Sequence, residues 1–197
     1  VNPSTRLGLM SSLPDVHSIE GRNWLAIQQA MCNQSAFLTR PHMPPYTETP
    51  AISTPPAATR HTIANLDGPL EVYPELENSP RCGPYSKSGS YSAWECLNSA
   101  VFGSNGITIN HFDLMGNGIA LDRGFAPSLA RPKPRLNALV QLGLDERRAQ
   151  GVRVLFSPQV ATYHHSTNTA SLHGLCNAGT IWSQVFYVLG IAHCFSK

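Results

Sequence analysis

The chain has little charge: Asp, Glu, Lys and Arg make up 13% of its 197 residues, about half the usual share. The formal net charge is only +2, and no run of Lys or Arg forms a basic patch, so a nucleic-acid partner is not expected. Hydrophobic residues reach 42%. Much of the chain is therefore expected to be interior, in one large domain or one and a half small ones.

Long apolar runs are also missing, because no stretch approaches the roughly 18 residues that a membrane span needs. A membrane partner is therefore not expected. The sequence begins at Val1 without a basic segment and an apolar segment behind it, so no signal peptide is predicted, and the missing Met indicates part of a longer protein. The five cysteines form no CxxC pair and no Cys/His cluster. They favour free thiols in a reducing cytoplasm over disulfides or structural zinc.

The hydrophobic pattern predicts alternating strands and helices. Strands are predicted over 7–10, 36–39, 70–76 and 106–113, and helices through 24–31, 94–101 and 136–144. Residues 44–59, rich in Pro and Thr, are predicted to be a loop, as are residues 115–134. This alternation favours a parallel sheet with crossover helices.

A second unit is predicted from Gly151 onward. Residues 152–156 form a nearly continuous apolar run, typical of a strand buried on both faces. A helix that ends at Gly190 leads into a last strand. The pattern is one strand-helix-strand unit of an open α/β sheet, and it divides the chain into residues 1–150 and 151–197.

The most informative stretch lies between Gly68 and Pro80, where apolar and polar residues alternate as in a strand. Side chains of successive strand residues face opposite ways. One face would carry Glu71, Tyr73, Glu75 and Glu77. An antiparallel edge strand would expose this acidic face to water. A barrel strand would point it inward, with Glu77 at the carboxyl-end rim where barrel enzymes keep their chemistry.

Residues 71–113 resemble the last two strands of the catalytic barrel in glycoside hydrolase family 42, the β-galactosidases. Glu-Asn-Ser-Pro at 77–80 is similar to that family's Glu-x-x-Pro nucleophile motif. Residues 92–106 are similar to the helix and the glycine that lead into its eighth strand. Residues 152–191 resemble the start of its flavodoxin-like trimerisation domain.

The resemblance implies an α/β fold: a partial (β/α)₈ TIM barrel, about strands five to eight, followed by the start of a flavodoxin-like domain. It implies that Glu77 is the nucleophile of a retaining hydrolase acting on β-galactosides or related β-glycosides. The predicted substrate-binding residues are Glu75, Tyr85, His111 and Asp113. The family's acid/base Glu ends strand four and is expected to be missing here, so this chain alone is expected to be inactive. No cofactor is needed, no metal site is expected, and a homotrimer is implied.

The chain departs from the family in two places. Tyr85 stands where the family usually has Trp, and Phe112-Asp113 stands where it has Trp-Arg. In addition, residues 115–125 offer neither the Glu nor the His that contacts galactose in the family. These departures leave the sugar specificity open, although not glycoside hydrolysis.

Two other functions are compatible with the same residues. The chain could be a non-catalytic carbohydrate-binding or oligomer-assembly segment, in which Glu77 and Tyr85 hold sugar or pack at a subunit boundary. It could also be a barrel enzyme of unrelated chemistry, for which Glu77→Gln would leave turnover intact. His164-His165 is interpreted as a surface pair because it lacks a third metal ligand. Cys96, on a predicted helix, is interpreted as buried rather than reactive.

Overall fold

The structure is a computed structural model that describes residues 6–11, 23–32, 36–41, 54–77, 87–110, 124–157 and 179–197. Its strands are β1 (Gly8–Ser11), β2 (Phe37–Pro41), β3 (Leu70–Val72), β4 (Glu75–Glu77), β5 (Thr108–Asn110), β6 (Val152–Leu155) and β7 (His193–Ser196). Its helices are α1 (Trp24–Met31), α2 (Thr54–Asn65), α3 (Gly89–Val101), α4 (Phe125–Ala130), α5 (Lys133–Gln141) and α6 (Gly179–Val188), and a 3₁₀ helix spans Glu146–Arg148. None of these described helices is both long enough and apolar enough to cross a membrane.

The strands pair in parallel, which confirms the arrangement predicted from the alternation. They form three small sheets, β1-β2-β3, β4-β5 and β6-β7. Residues 70–77 connect the first two sheets. On one side the Tyr73 amide donates to the Thr39 carbonyl at 2.9 Å. On the other side the Thr108 amide donates to the Pro74 carbonyl at 2.9 Å. From β1 to β5, neighbouring strands therefore follow one another in chain order.

The predicted single strand over 70–76 is divided into β3 and β4 at Pro74. Proline has no backbone N–H to donate to a neighbouring strand. The strand consequently changes partner at this point, from β2 on one side to β5 on the other.

The predicted loop over 44–59 is wrong from Thr54 onward, where α2 begins. Pro55-Pro56 falls in the first turn of the helix, and the N–H groups there have no intrahelical partner to lose. Ala57-Ala58 then favours continuation of the helix. Residues 56–66 are all buried, so α2 is enclosed on every side.

The predicted loop over 115–134 is also wrong in part, because α4 occupies residues 125–130 and α5 begins at Lys133. Pro127 lies in the first turn of α4 and Pro134 in the first turn of α5. These prolines therefore mark helix starts rather than a continuous loop.

The expectation that residues 152–156 form a strand buried on both faces is wrong. Val154 and Phe156 are buried, whereas Val152 is 46% exposed and Leu155 is 72% exposed. An apolar run does not reveal how many faces of a strand are covered.

Two clusters of apolar side chains hold the first two sheets to their helices. The first consists of Trp24, Phe37 and Leu66, with Leu9, Met31, Cys32 and Leu70 packed against it. The second consists of Leu76 and Cys96, with Ile107, Ile109 and Leu136 packed against it. Both clusters lie on the side of the strands that faces the helices, so the opposite side is the one that can carry polar chemistry.

The segment after residue 150 packs against α2. The ring of His61 is stacked on Phe195, with centroids 5.0 Å apart, and meets the edge of Phe156 at 4.9 Å. The guanidinium of Arg60 donates to the carbonyl of His193. These contacts attach β6, α6 and β7 to the centre of the molecule.

Candidate active site at the carboxyl edge of the parallel strands

Glu77 is the last residue of β4, and its neighbour on β5 is Asn110. Glu75 is opposite Thr108, and Leu76 is opposite Ile109. Both strands end at the same edge because they run in parallel. The structure describes the backbone of Glu77 but not its side chain, so the direction of its carboxylate stays a prediction.

The alternation predicted for residues 70–77 is confirmed for the described side chains. Val72 and Leu76 are each 2% exposed, and Leu76 belongs to the second apolar cluster. Glu71 and Glu75 are partly exposed on the other face. The break at Pro74 does not change the alternation, because Val72 before it and Leu76 after it are on the same, buried face. Strand alternation accordingly predicts that Glu77 shares the face of Glu75.

Glu71 belongs to a small network at the start of this face. Arg6 holds the carboxylate with both of its terminal nitrogens, Nη2 at 2.8 Å and Nη1 at 3.2 Å. The hydroxyl of Tyr73 donates to Oε2 of Glu71 at 3.0 Å. The hydrogen bond from Arg6 is the main cause that lowers the pKa of Glu71. Burial, followed by the Glu71 carboxylate, raises the pKa of Tyr73.

The ring of Tyr73 lies against Gly106, two residues before β5 begins. A Cβ atom added at Gly106 would come within 2.8 Å of that ring. Only glycine leaves room for this close approach. The phenol is thereby fixed on the polar face beside β5.

Glu75, one of the predicted substrate-binding residues, has an ion-pair partner within the protein. Its carboxylate lies 3.1 Å from Nη2 of Arg40, and its side chain is 13% exposed. Arg40 also contacts the sulfur of Met10. Sequence analysis did not identify Arg40, although Leu38 and Arg40 alternate with the buried Phe37 and Thr39 along β2. This burial pattern places Arg40 on the less buried face of β2, but the residue types Phe-Leu-Thr-Arg do not alternate and gave no such signal in the sequence.

Tyr85, His111 and Asp113 lie outside the described residues. His111 directly follows Asn110, the last residue of β5. The roles proposed for Tyr85, His111 and Asp113 stay predictions. His164-His165, Cys82 and Cys176 lie outside the described residues as well.

The structure reveals a buried polar cluster that sequence analysis missed. Nε of Arg60 lies 2.8 Å from Oε2 of Glu146, and another nitrogen of its guanidinium contacts Nε2 of His193. The hydroxyl of Ser183 is 2.8 Å from the same Nε2. These four residues, each at most 5% exposed, come from α2, the 3₁₀ helix, β7 and α6.

The tautomer of His193 follows from its partners. Nδ1 lies 2.8 Å from the carbonyl of Ile191, which can only accept, so Nδ1 carries the proton. Nε2 then accepts from Arg60 and Ser183. Burial, with Arg60 contributing, lowers the pKa of His193. A Ser–His pair of this kind can act in nucleophilic catalysis, but Ser183 is 0% exposed, so no substrate reaches it.

Two other buried groups are also structural. Nζ of Lys87 lies 3.0 Å and 3.3 Å from the two oxygens of Glu95. Burial raises the pKa of Glu95, although Lys87 opposes this shift. Burial also raises the pKa of the Cys96 thiol to about 12. The prediction that Cys96 is buried rather than reactive is confirmed, because the nucleophilic form of cysteine is the thiolate.

Within the described ranges, no group of three or more His, Cys, Asp or Glu side chains is arranged to hold a metal ion. Cys32, Cys96 and Cys194 are free thiols. Comparison of the chain with protein families, with curated proteins and with solved structures finds no match. The candidate site therefore has to be judged on its own geometry.

Proposed function

We propose that this chain contributes part of a (β/α)₈ barrel to a retaining β-glycosidase, with Glu77 as the nucleophile. The observation that carries the proposal is the position of Glu77 at the carboxyl end of a strand that is parallel to β5 and in register with it. Catalytic residues of such barrels lie at this end of the strands. The chain-order succession of strands from β1 to β5 and the helices on their apolar face support the same fold.

The charges around β4 suit an ionised nucleophile. Glu75 places a second carboxylate on β4, two residues before Glu77. Arg40 lies 3.1 Å from Glu75 and balances that charge. Glu77 can then stay ionised and attack the anomeric carbon, while a protonated carboxylic acid about 5–5.5 Å away protonates the leaving oxygen. That acid is expected from a preceding barrel strand, and this chain alone is proposed to be inactive.

The substrate is proposed to be a β-galactoside or a related β-glycoside, without a cofactor and without a nucleic-acid or membrane partner. Tyr85 would provide an aromatic platform for the sugar ring. His111, Asp113 and Glu75 would hydrogen-bond to its hydroxyl groups. Residues 151–197 would begin the α/β domain that assembles a homotrimer in the cytoplasm.

A mechanism-based fluoro-β-galactoside inactivator tests this function on the longer protein that would carry the whole barrel. We expect one covalent adduct, which peptide mapping places on Glu77. Glu77→Gln should abolish labelling, whereas Glu71→Gln should retain it, because Glu71 lies on β3, six residues before the carboxyl edge of β4. Absence of an adduct, or an adduct on another carboxylate, would overturn the proposal.

A second candidate function, a non-catalytic segment for oligomer assembly, is favoured by α6. This helix exposes Ile181, Trp182 and Val188 to solvent, and contiguous exposed apolar residues mark interaction surfaces. If assembly is the function, Trp182→Ser should lower the oligomeric state in analytical ultracentrifugation, and the inactivator should label no residue. Labelling of Glu77 would instead establish catalysis.

A further inference from the structure

A cavity of about 370 Å³ lies between the end of α3, the loop before β5 and one side of α5. Its volume falls within the range of small-molecule sites. It adjoins the amino end of β5, whereas Glu77 stands at the carboxyl end of the neighbouring strand. A ligand in this cavity would therefore bind independently of the proposed glycosidase site.

Ser104 supplies a buried hydroxyl to the lining of this cavity. The residue is 3% exposed, and its Oγ has no hydrogen-bond partner among the described residues. Its backbone N–H is satisfied by the carbonyl of Ser99 at 3.1 Å. Buried hydroxyl groups nearly always have a partner. The Oγ atom is covered, so a ligand would engage this hydroxyl after the Ser104 side chain rotates about χ1 toward the cavity.

The side of α5 that borders the cavity has a regular pattern. Lys133, Asn137 and Gln141 line the cavity, and their four-residue spacing places them along one face of the helix. Lys133 is the first residue of α5, whose first turn contains no acidic residue. The ammonium group and the positive end of the helix both favour an anion here. The two amides along the same face can donate and accept hydrogen bonds.

The rest of the lining is apolar and held in place. Ile107 and Leu136 border the cavity and also pack against the buried Leu76–Cys96 cluster. The cavity thus combines a fixed apolar wall, a cationic end and an unsatisfied buried hydroxyl.

We propose that this cavity binds a small organic carboxylate. The carboxylate would lie near Lys133, its apolar body would lie against Ile107 and Leu136, and a hydrogen-bond acceptor on the ligand would receive the proton of Ser104. No covalent step is involved.

Binding of 3-phenylpropanoate to the 197-residue chain, compared with its neutral amide 3-phenylpropanamide, tests the proposal. NMR titration should show saturable shifts for residues around the cavity, with the amide binding about tenfold more weakly. Lys133→Gln should remove this preference for the carboxylate. Arg135→Gln, which removes a like charge two residues away on an exposed part of the same helix, should keep it.

Ser104→Ala provides a second readout. It should weaken both probes while circular dichroism stays unchanged, because the hydroxyl contacts the ligand and supports no other described group. Absence of saturable binding up to about 10 mM, equal binding of acid and amide, or equal effects of the Lys133 and Arg135 variants would each overturn the proposal.

Discussion

Two Arg–Glu pairs in this protein have the same separation, but the pKa of the glutamate is shifted in opposite directions. Arg6 and Glu71 are 2.8 Å apart at the surface, with side chains 44% and 27% exposed. Arg60 and Glu146 are also 2.8 Å apart, with side chains 5% and 3% exposed. The pKa of Glu71 is lowered, chiefly by the hydrogen bond from Arg6. The pKa of Glu146 is raised, chiefly by burial, although Arg60 opposes it.

The comparison shows that burial, and not the distance between the charges, decides whether the pKa of the paired carboxylate is raised or lowered. Moving both charges out of water costs more than their attraction returns, unless further hydrogen bonds compensate. Arg60 has such compensation from His193. Lys87 and Glu95 follow the same rule, because burial is again the main cause that raises the pKa of the carboxyl group. Removing one partner should therefore have very different consequences at the two Arg–Glu pairs.

Arg60→Met should produce the largest effect. It leaves Glu146 buried without its cation and takes a donor from His193, so the free energy of unfolding should fall by about 3–5 kcal/mol. Urea denaturation of the purified chain measures this loss. The double variant Arg60→Met/Glu146→Leu should recover most of the stability, because both buried charges are then gone. A loss below about 1 kcal/mol in the single variant would mean that burial does not separate the two pairs.

His61 should produce the next largest effect, through pH. Burial lowers the pKa of His61 from 6.5 to about 3. As the pH falls, the unfolded chain binds a proton near pH 6.5, whereas the folded protein binds one only near pH 3. The contribution to stability is therefore present above this window and is lost as the pH falls through it. We expect a loss of about 3 kcal/mol between about pH 7 and about pH 4, measured as a shift of the urea midpoint.

His61→Phe is the control for this prediction, because it keeps an aromatic ring between Phe156 and Phe195 and removes the titration. The raised pKa values of Glu95 and Glu146 act in the opposite direction, lowering stability as the pH rises above their ordinary range. The difference between the two proteins at each pH isolates the histidine. Parallel curves for the native chain and His61→Phe would show that His61 does not titrate in this window.

Arg6→Gln should have the smallest effect. Its charge is exposed and solvent already screens the pair, so the free energy of unfolding should hardly change. The pKa of Glu71 should rise toward its ordinary value of 4.5, because its main cause of lowering is removed. NMR titration of the Glu71 carboxyl group measures this rise. A loss of stability similar to that of Arg60→Met would contradict the comparison.

The parts of the fold that depend on local pattern were predictable. The alternation in residues 70–77 predicted the two faces of the strand. The helix predicted over 94–101 is α3, which ends just before Gly103, whose φ of +93° lies in the left-handed region that commonly follows a helix. The helix at Thr54 was missed because Pro55-Pro56 resembles a helix breaker, although proline is tolerated in a first turn. The pattern alone could not show that residues 56–65 of α2 are all buried.

The polar contacts were harder to predict than the elements. Arg60 lies 86 residues from Glu146 and 133 residues from His193 along the chain, so no local spacing indicates the cluster. Arg40 and Glu75 likewise meet only because β2, β3 and β4 are neighbours. The position of Glu77 at the edge followed from its place at the end of the strand, and strand parity predicts only which face it shares. Its proposed chemistry rests on the resemblance.

The enclosure of Arg60 has a consequence for how this protein can evolve. Its guanidinium joins α2 to the 3₁₀ helix and to β7. A change at any one of positions 60, 146 and 193 would leave the other two buried with a lost hydrogen bond or ion pair that water cannot replace. Homologous sequences should therefore retain all three residues or exchange them as a set. Positions 6 and 71 are exposed, so water can hydrate either charge when its partner is lost. These two positions should therefore be substituted independently of each other.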